Sequence, residues 1–265
     1  MPFTGKLLGP VTFPSKPFQS THAAKEKLYA VISTGNFNEK TAQLYTDYAL
    51  YTAHQGICKE VRDVFTFIDY SYRQPKLKYL VVSPINTREY LERMIRREIE
   101  NVQAGGKGSI KAKINNLVDD RVINDLYEAS QAGVKIELLV RGMCGLRAGI
   151  PGQSENIRVT SIVGRYLEHA RVMVFHNNGN DEVYISSADW MTRNLDERVE
   201  ATVPIFDEGL KKQIRDILDL QLRDNTKARL VDSDQKNAYV PRSNRKRVNS
   251  QELIHQLLVE QEKNT

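Results

Sequence analysis

Apolar residues change their period several times along the chain, and each change predicts an element. "KLYAVIS" is a short apolar run that predicts a strand ending at Ser33. After a polar Gly-Asn turn, "ICKEVRDVFTFI" carries Val61, Val64 and Phe65 at helical spacing. From Tyr79 onward strand and helix patterns alternate. "YLVVS", "SIKAKI" and "VKIELLV" read as buried strands, with two helices between them. The first helix, "NTREYLERMIRREIENVQ", keeps Leu91, Ile95, Ile99 and Val102 on one face, with Asn86 and Glu89 placed as a capping pair; the second, "DRVINDLYEASQAG", closes at Gly133. A βαβαβ run of this kind predicts a mostly parallel sheet flanked by helices. "IRVTSIV", "ARVMVF" and "EVYIS" follow as strands, the last two joined by the hairpin-like "HNNGND", and a final helix is expected over "DEGLKKQIRDILDLQL". The tail "VPRSNRKRVNSQELIHQLL" is a basic run, read as a solvated face, followed by a short amphipathic piece.

A chain of 265 residues, 40% of them hydrophobic, is long enough for a sizeable core. Lys and Arg exceed Asp and Glu by 38 to 33, a mild excess that suits an anionic partner without choosing one. The 2 cysteines, Cys58 and Cys144, do not support a disulfide framework or a Cys-rich metal site, and a reducing cytoplasm fits them. No apolar run approaches the roughly 20 residues of a membrane span. Residues 1–24, with Pro10, Pro14 and Pro17, have no clear period and read as a loose arm without the marks of a signal peptide.

Two stretches look alike. "LYAVISTGNFNEKTAQLYTD" and "EVYISSADWMTRNLDERVE" each carry an apolar strand, a hydroxyl pair (Ser33 and Thr34, Ser186 and Ser187), a polar turn and then charges at a similar distance. Two such half-sites facing one another would form one pocket. In "LEHARVMVF", period two sends His169 and Arg171 to the same face of a strand. Trp190 reads as a packing anchor; His54, His176 and His255 suggest no partner.

The strings "STGNFNEKTAQLYTDYAL", "KINNLVD", "GVKIELLVRGMCGL", "IVGRYLEHARV", "SSADWMTRNLDERVE" and "YVPRSNRKRV" together resemble the C-terminal half of the type 1 polyphosphate kinases, in register from about Lys27 almost to the end. The resemblance implies a phospholipase D-like α/β fold, here with one partial and one complete repeat. It divides the chain into the arm at 1–24, a remnant of the first catalytic domain at 25–78 and the second catalytic domain at 79–265. It also implies that the sequence is truncated at its N-terminus. The implied activity is reversible transfer of the terminal phosphate of ATP to polyphosphate through a phosphohistidine, in the cytoplasm. The partners would be ATP or ADP and polyphosphate, with Mg2+ arriving on the nucleotide and no protein ligands for it identifiable. No nucleic acid is expected, and the full-length family is homo-oligomeric. By position, Tyr45 matches the family's nucleotide-contacting tyrosine, Arg141 its phosphate-binding arginine and His169 its second essential histidine. The resemblance also implies that Arg198 lines the same anionic tunnel as a catalytic residue beside His169, while Asn38, Lys113, Asn115, Ser187 and Arg193 are expected to contact phosphates. The chemistry suits these residues: an imidazole is a competent nucleophile or acid–base group toward phosphorus, and arginine forks bind phosphate oxygens in two places at once.

One position departs from the family. Its phosphorylated histidine belongs to the first repeat, on the strand before the one that leads to "STGNFN". In the second repeat His169 stands 17 residues before Ser186, and the same step back from Ser33 reaches Lys16. His22 is too close to Leu28 to serve, so a non-catalytic nucleotide- or polyanion-binding remnant is the alternative to a working kinase. A phospholipase D-like phosphodiesterase would need a lysine two residues after the histidine and an aspartate five further on, where this chain has Arg171 and His176.

Overall fold

A computed structural model describes residues 7–8, 27–234 and 236–263. The expected arm, including Lys16 and His22, therefore lies outside the described residues apart from a two-residue strand, β1 (Leu7–Leu8). The first half then runs β2 (Ala30–Ser33), α1 (Glu39–Ala42), β3 (Tyr45–Thr46), β4 (Ala49–Thr52) and α2 (Gln55–Asp69). The second half begins β5 (Val81–Ser83), α3 (Thr87–Gln103), β6 (Ser109–Ile114), α4 (Asp120–Gln131), β7 (Lys135–Val140), β8 (Ile157–Ile162) and β9 (Leu167–Glu168). It ends β10 (Arg171–Phe175), β11 (Glu182–Ser186), β12 (Glu200–Pro204), α5 (Glu208–Leu222), β13 (Ala228–Leu230) and α6 (Ser250–Lys263).

Eight strands form the main sheet, in the order β13-β8-β7-β6-β10-β11-β12-β5. The expectation of a mixed sheet flanked by helices holds, but the sheet is not mostly parallel. Only β6 with β7 and β7 with β8 pair in parallel, and the other five pairings are antiparallel. The reason is topological. After β5 the chain crosses the sheet before laying down β6, and the later β10–β11–β12 meander fills the gap with antiparallel neighbours.

Strand alternation divides the interior into two layers. Ile110, Ala112, Ile114, Ile136, Leu138, Met173 and Phe175 face α3 and α4, where Trp190 is also packed, as expected of an anchor. Val172, Val174, Val183, Ile185, Ala201 and Val203 face the other way and join Ile214, Leu218 and Leu222 of α5. The first half contributes Leu28, Ala30, Ile32, Ile57, Val61 and Val64 to this same layer. A second joint is a parallel two-residue ribbon, with Tyr45 opposite Leu167 and Thr46 opposite Glu168.

Local signals were mixed in reliability. Gly133 ends α4 at φ +95°, a left-handed position that glycine adopts without strain. Asn86 does not cap α3 with its side chain; its Oδ1 instead accepts the Val82 N–H at 2.7 Å, so the expected capping pair is absent. His54 is the N-cap of α2, accepting from Ile57 N at 3.2 Å, and its ring packs on Tyr79 and Phe206.

Candidate functional site

The carboxyl ends of β6, β7 and β11 meet the amino end of β10, and the chemistry-bearing residues collect there. His169 sits just before β10. Its Nδ1 lies 2.9 Å from the Asp47 carboxylate, which is delivered by the β3–β9 ribbon from the first half. The Tyr45 ring is tilted against the imidazole at a centroid distance of 4.8 Å. The Asp47 carboxylate can only accept, so it favours a proton on Nδ1 and turns Nε2 toward the opposite side of the ring. Arg171 Nη1 lies beside both ring nitrogens, 3.4 Å from Nδ1 and 3.1 Å from Nε2.

Arg171 itself is a structural cation. Its guanidinium forks onto Asp189 at 3.0 and 3.2 Å and donates to the Thr34 and His169 carbonyls at 3.0 Å. Burial alone would raise the Asp189 carboxyl, but the Arg171 charge and the hydrogen bonds from Arg171, Asn115 and Asn116 hold it below the usual range. Arg141, in contrast, has no carboxylate partner among the described residues. Its Nε donates to Asn115 Oδ1 at 3.1 Å and to the Glu168 carbonyl at 2.9 Å. Asn115 in turn donates to the His169 carbonyl at 3.3 Å. Tyr45, Asn115, Arg141 and His169 are thus brought together.

The remaining expected site residues are placed differently. Lys113 is buried, with its Nζ 2.5 Å from Glu168 Oε2. Burial pushes the Glu168 carboxyl up, but Lys113, Gln251 and Thr46 outweigh it and hold the group below the ordinary carboxylate range. A pair this dry adds little net stability, yet removing one partner costs about 3–5 kcal/mol because the other charge is left bare. Asn38 is the side-chain N-cap of α1, at 3.0 Å from Lys40 N and 3.2 Å from Thr41 N. Ser187 is buried, donating to Glu200 and accepting the Ala201 N–H at 3.1 Å. Arg193 and Arg198 belong to the π-helical turn after Trp190; neither forms an ion pair among the described residues, and neither shares a hydrogen bond with the His169 cluster.

The suspected repeat is present at atomic detail. Ser33 Oγ accepts the Gly35 N–H at 3.2 Å and Ser186 Oγ accepts the Ala188 N–H at 3.0 Å, each two residues on. Thr34 Oγ1 donates to Asp47, and Ser187 Oγ to Glu200, in both cases across 13 residues. Thr34 Oγ1 accepts Tyr48 N and Ser187 Oγ accepts Ala201 N, in both cases across 14. Asp47 is therefore the counterpart of Glu200. Sequence reasoning passed over Asp47 although the equal spacing from the two hydroxyl pairs pointed to it; nothing local pointed to Thr46, Gln221 or Gln251.

Beside the cluster, a cavity of about 330 Å³ lies between the β3–β9 ribbon and α6. Tyr45, Tyr166, Ile254 and His255 are among its walls, and Glu168 and Gln251 reach it as polar groups.

Comparison with known proteins identifies the family. Residues 18–74 match the family model "Polyphosphate kinase C-terminal domain 1", and residues 80–251 match "Polyphosphate kinase C-terminal domain 2". The polyphosphate kinase of Vibrio parahaemolyticus is 53% identical over 237 residues, which are 89% of this chain and 34% of that protein. The crystal structure of a polyphosphate kinase from Porphyromonas gingivalis superposes with a TM-score of 0.85 at 45% identity, covering 93% of this chain and 38% of that one. A phosphatidylserine synthase from Haemophilus influenzae covers 89% of this chain and 67% of its own at a TM-score of 0.52 and 11% identity, a likeness of fold alone. The mixed sheet flanked by helices is therefore shared with both of these structures. The chain spans about a third of the length of the curated relatives it matches. Within that span both family models are met in order, and the chain belongs to the polyphosphate kinase family.

Proposed function

We propose that this chain carries the nucleotide-handling half of a polyphosphate kinase, transferring the terminal phosphate of ATP to polyphosphate and back. The observation that carries the reading is His169. Its Nδ1 is held by Asp47, Tyr45 lies against its ring, and Arg141, without a carboxylate partner among the described residues, is held beside it. Tyr45 offers a face for the base. Arg141 offers its remaining N–H groups to phosphate oxygens, and His169 exchanges a proton or stabilises charge at Nε2 as the phosphoryl group moves.

Magnesium would neutralise the phosphates. The ion would arrive on the nucleotide, as the family resemblance implies. A second reading, a nucleotide- or polyanion-binding module without turnover, draws on the repeat: the step that relates the two halves puts Lys16 where His169 has its counterpart.

Incubation with ATP labelled in its terminal phosphate and magnesium tests both. An acid-labile, base-stable phosphoprotein together with labelled polymer supports transfer. Loss of label in His22→Ala would give the arm the nucleophile, and loss only in His169→Ala would give it to the second repeat. ATP binding without label leaves the second reading, and a chain that binds neither ATP nor polyphosphate overturns both.

A further inference from the structure

Glu168 is a carboxylate one residue before His169, 2% exposed, and it draws donors from four elements to one point. Lys113 of β6 is 2.5 Å from Oε2, Gln221 of α5 is 2.7 Å from the same oxygen, and Thr46 of β3 is 3.1 Å from it. Gln251 of α6 donates to Oε1 at 2.7 Å and to the Tyr166 carbonyl at 2.9 Å, while its own Oε1 accepts the Tyr166 N–H at 3.1 Å. The Glu168 backbone carbonyl is the acceptor for Arg141 Nε at 2.9 Å. Thr46 closes the circuit, with the His169 N–H 3.4 Å from its Oγ1.

Stability does not account for this arrangement, because a buried ion pair is often replaced by apolar residues of similar volume without loss. What it does set is geometry. The carboxylate holds the β3–β9 ribbon, and the ribbon fixes the distance between Asp47 and His169; its main chain holds Arg141. We propose that Glu168 is a positioning residue for the nucleotide site, acting through Thr46, Lys113, Gln221 and Gln251 on His169 and Arg141, with the C-terminal helix α6 as part of the device. Lys113 then serves the site from within rather than by touching phosphate. The inference rests on the reading of the His169 cluster as that site.

The test replaces the pair by a charge-free one, Lys113→Met with Glu168→Leu, in the full chain. Three quantities are read: the thermal midpoint, the affinity for Mg-ATP by calorimetry, and the ring nitrogen shifts of His169 in protein labelled with 15N-histidine. The double variant is expected to melt within a few degrees of the parent. Its Mg-ATP affinity should fall about tenfold or more, as for residues that orient a ligand-binding side chain, and the Nδ1–H signature of the Asp47 contact should be lost. Unchanged affinity and an unchanged His169 signature would overturn the proposal. Should the double variant fail to fold, Gln251→Leu keeps the ion pair and removes the α6 tie, and the same two measurements decide. A parent that binds no Mg-ATP would sink the nucleotide reading, while the His169 signature would still decide whether Glu168 positions it.

Discussion

At His169 the two ring nitrogens have unequal surroundings, and the difference is created by a residue 122 positions away, Asp47. A carboxylate can only accept, so it selects the Nδ1–H tautomer; an amide in its place can present either end. Asp47→Asn is therefore expected to lower phosphoprotein formation from ATP by about tenfold or more. The side chain of Asp47 is 22% exposed, so the melting temperature should shift by only a few degrees. A large loss of stability with proportionate loss of activity would show that Asp47 matters for folding instead. The same scale explains what the sequence concealed. Lys113 and Glu168 lie 55 residues apart; the sequence suggests Lys113 as a phosphate contact and gives no signal for Glu168, because charged side chains are exposed by default. Each is buried only because the other is there, and pairing across that separation leaves no local pattern.

Two carboxylates fix elements rather than chemistry. Asp224 is fully buried and pairs with no cation among the described residues: Oδ1 accepts from Thr226, Lys227 and Ala228 N–H groups, and Oδ2 from the Ser250 N–H and hydroxyl. It anchors the start of α6. Asp224→Ala would strand these donors and should cost about 3 kcal/mol or more, with amide exchange in α6 rising ahead of exchange in the main sheet. Uniform exchange across both would show that α6 is not held separately. Asp119 caps α4 and accepts the Thr192 hydroxyl at 2.8 Å; Arg88 of α3 forks onto it at 2.9 Å and onto Asp196 at 2.8 and 2.6 Å, tying α3, α4 and the turn that carries Arg193 and Arg198. Arg88 is the main cause that lowers the Asp119 carboxyl from 3.8 to about 2. A depressed carboxylate stabilises the fold above its unfolded value, and that stability is lost as pH falls through the folded one. The gap in melting temperature between parent and Arg88→Gln should therefore be constant at neutral pH and close as pH drops from about 4 to about 2. A gap that persists at the acid end would mean the clasp is not electrostatic. Helices such as α3 and α4 were legible because their apolar faces repeat over several turns. The two-residue strands β3 and β9 were not, since two residues cannot show a period, yet they join the halves at the site.

For the whole molecule, six strands of the main sheet, β5, β6, β7, β8, β10 and β11, could be read from local pattern, but β12, β13 and the strand order could not. β5 carries the same apolar signal as β6, and only the later meander decides that three strands separate them. That meander also makes the two halves interdependent. Val172, Val174, Val183 and Ile185 of the main sheet share one apolar cluster with Ile32, Ile57, Val61 and Val64 of the first half. Glu60 of α2 reinforces the junction by accepting the N–H groups of Lys78, Tyr79 and Leu80, at 2.8, 3.0 and 2.7 Å, where the chain enters the second half. Units joined by a linker alone would melt separately, whereas units sharing an apolar layer lose it together, because exposing either side uncovers the other. The chain is expected to unfold in one calorimetric transition whose van't Hoff and calorimetric enthalpies agree. A single proteolytic cut in the exposed stretch 71–74 should leave both pieces bound to one another through gel filtration. Two resolved transitions, or pieces that separate after the cut, would mean that the shared layer does not couple the halves, and the Asp47–His169 contact would then lack the rigid frame on which its chemistry depends.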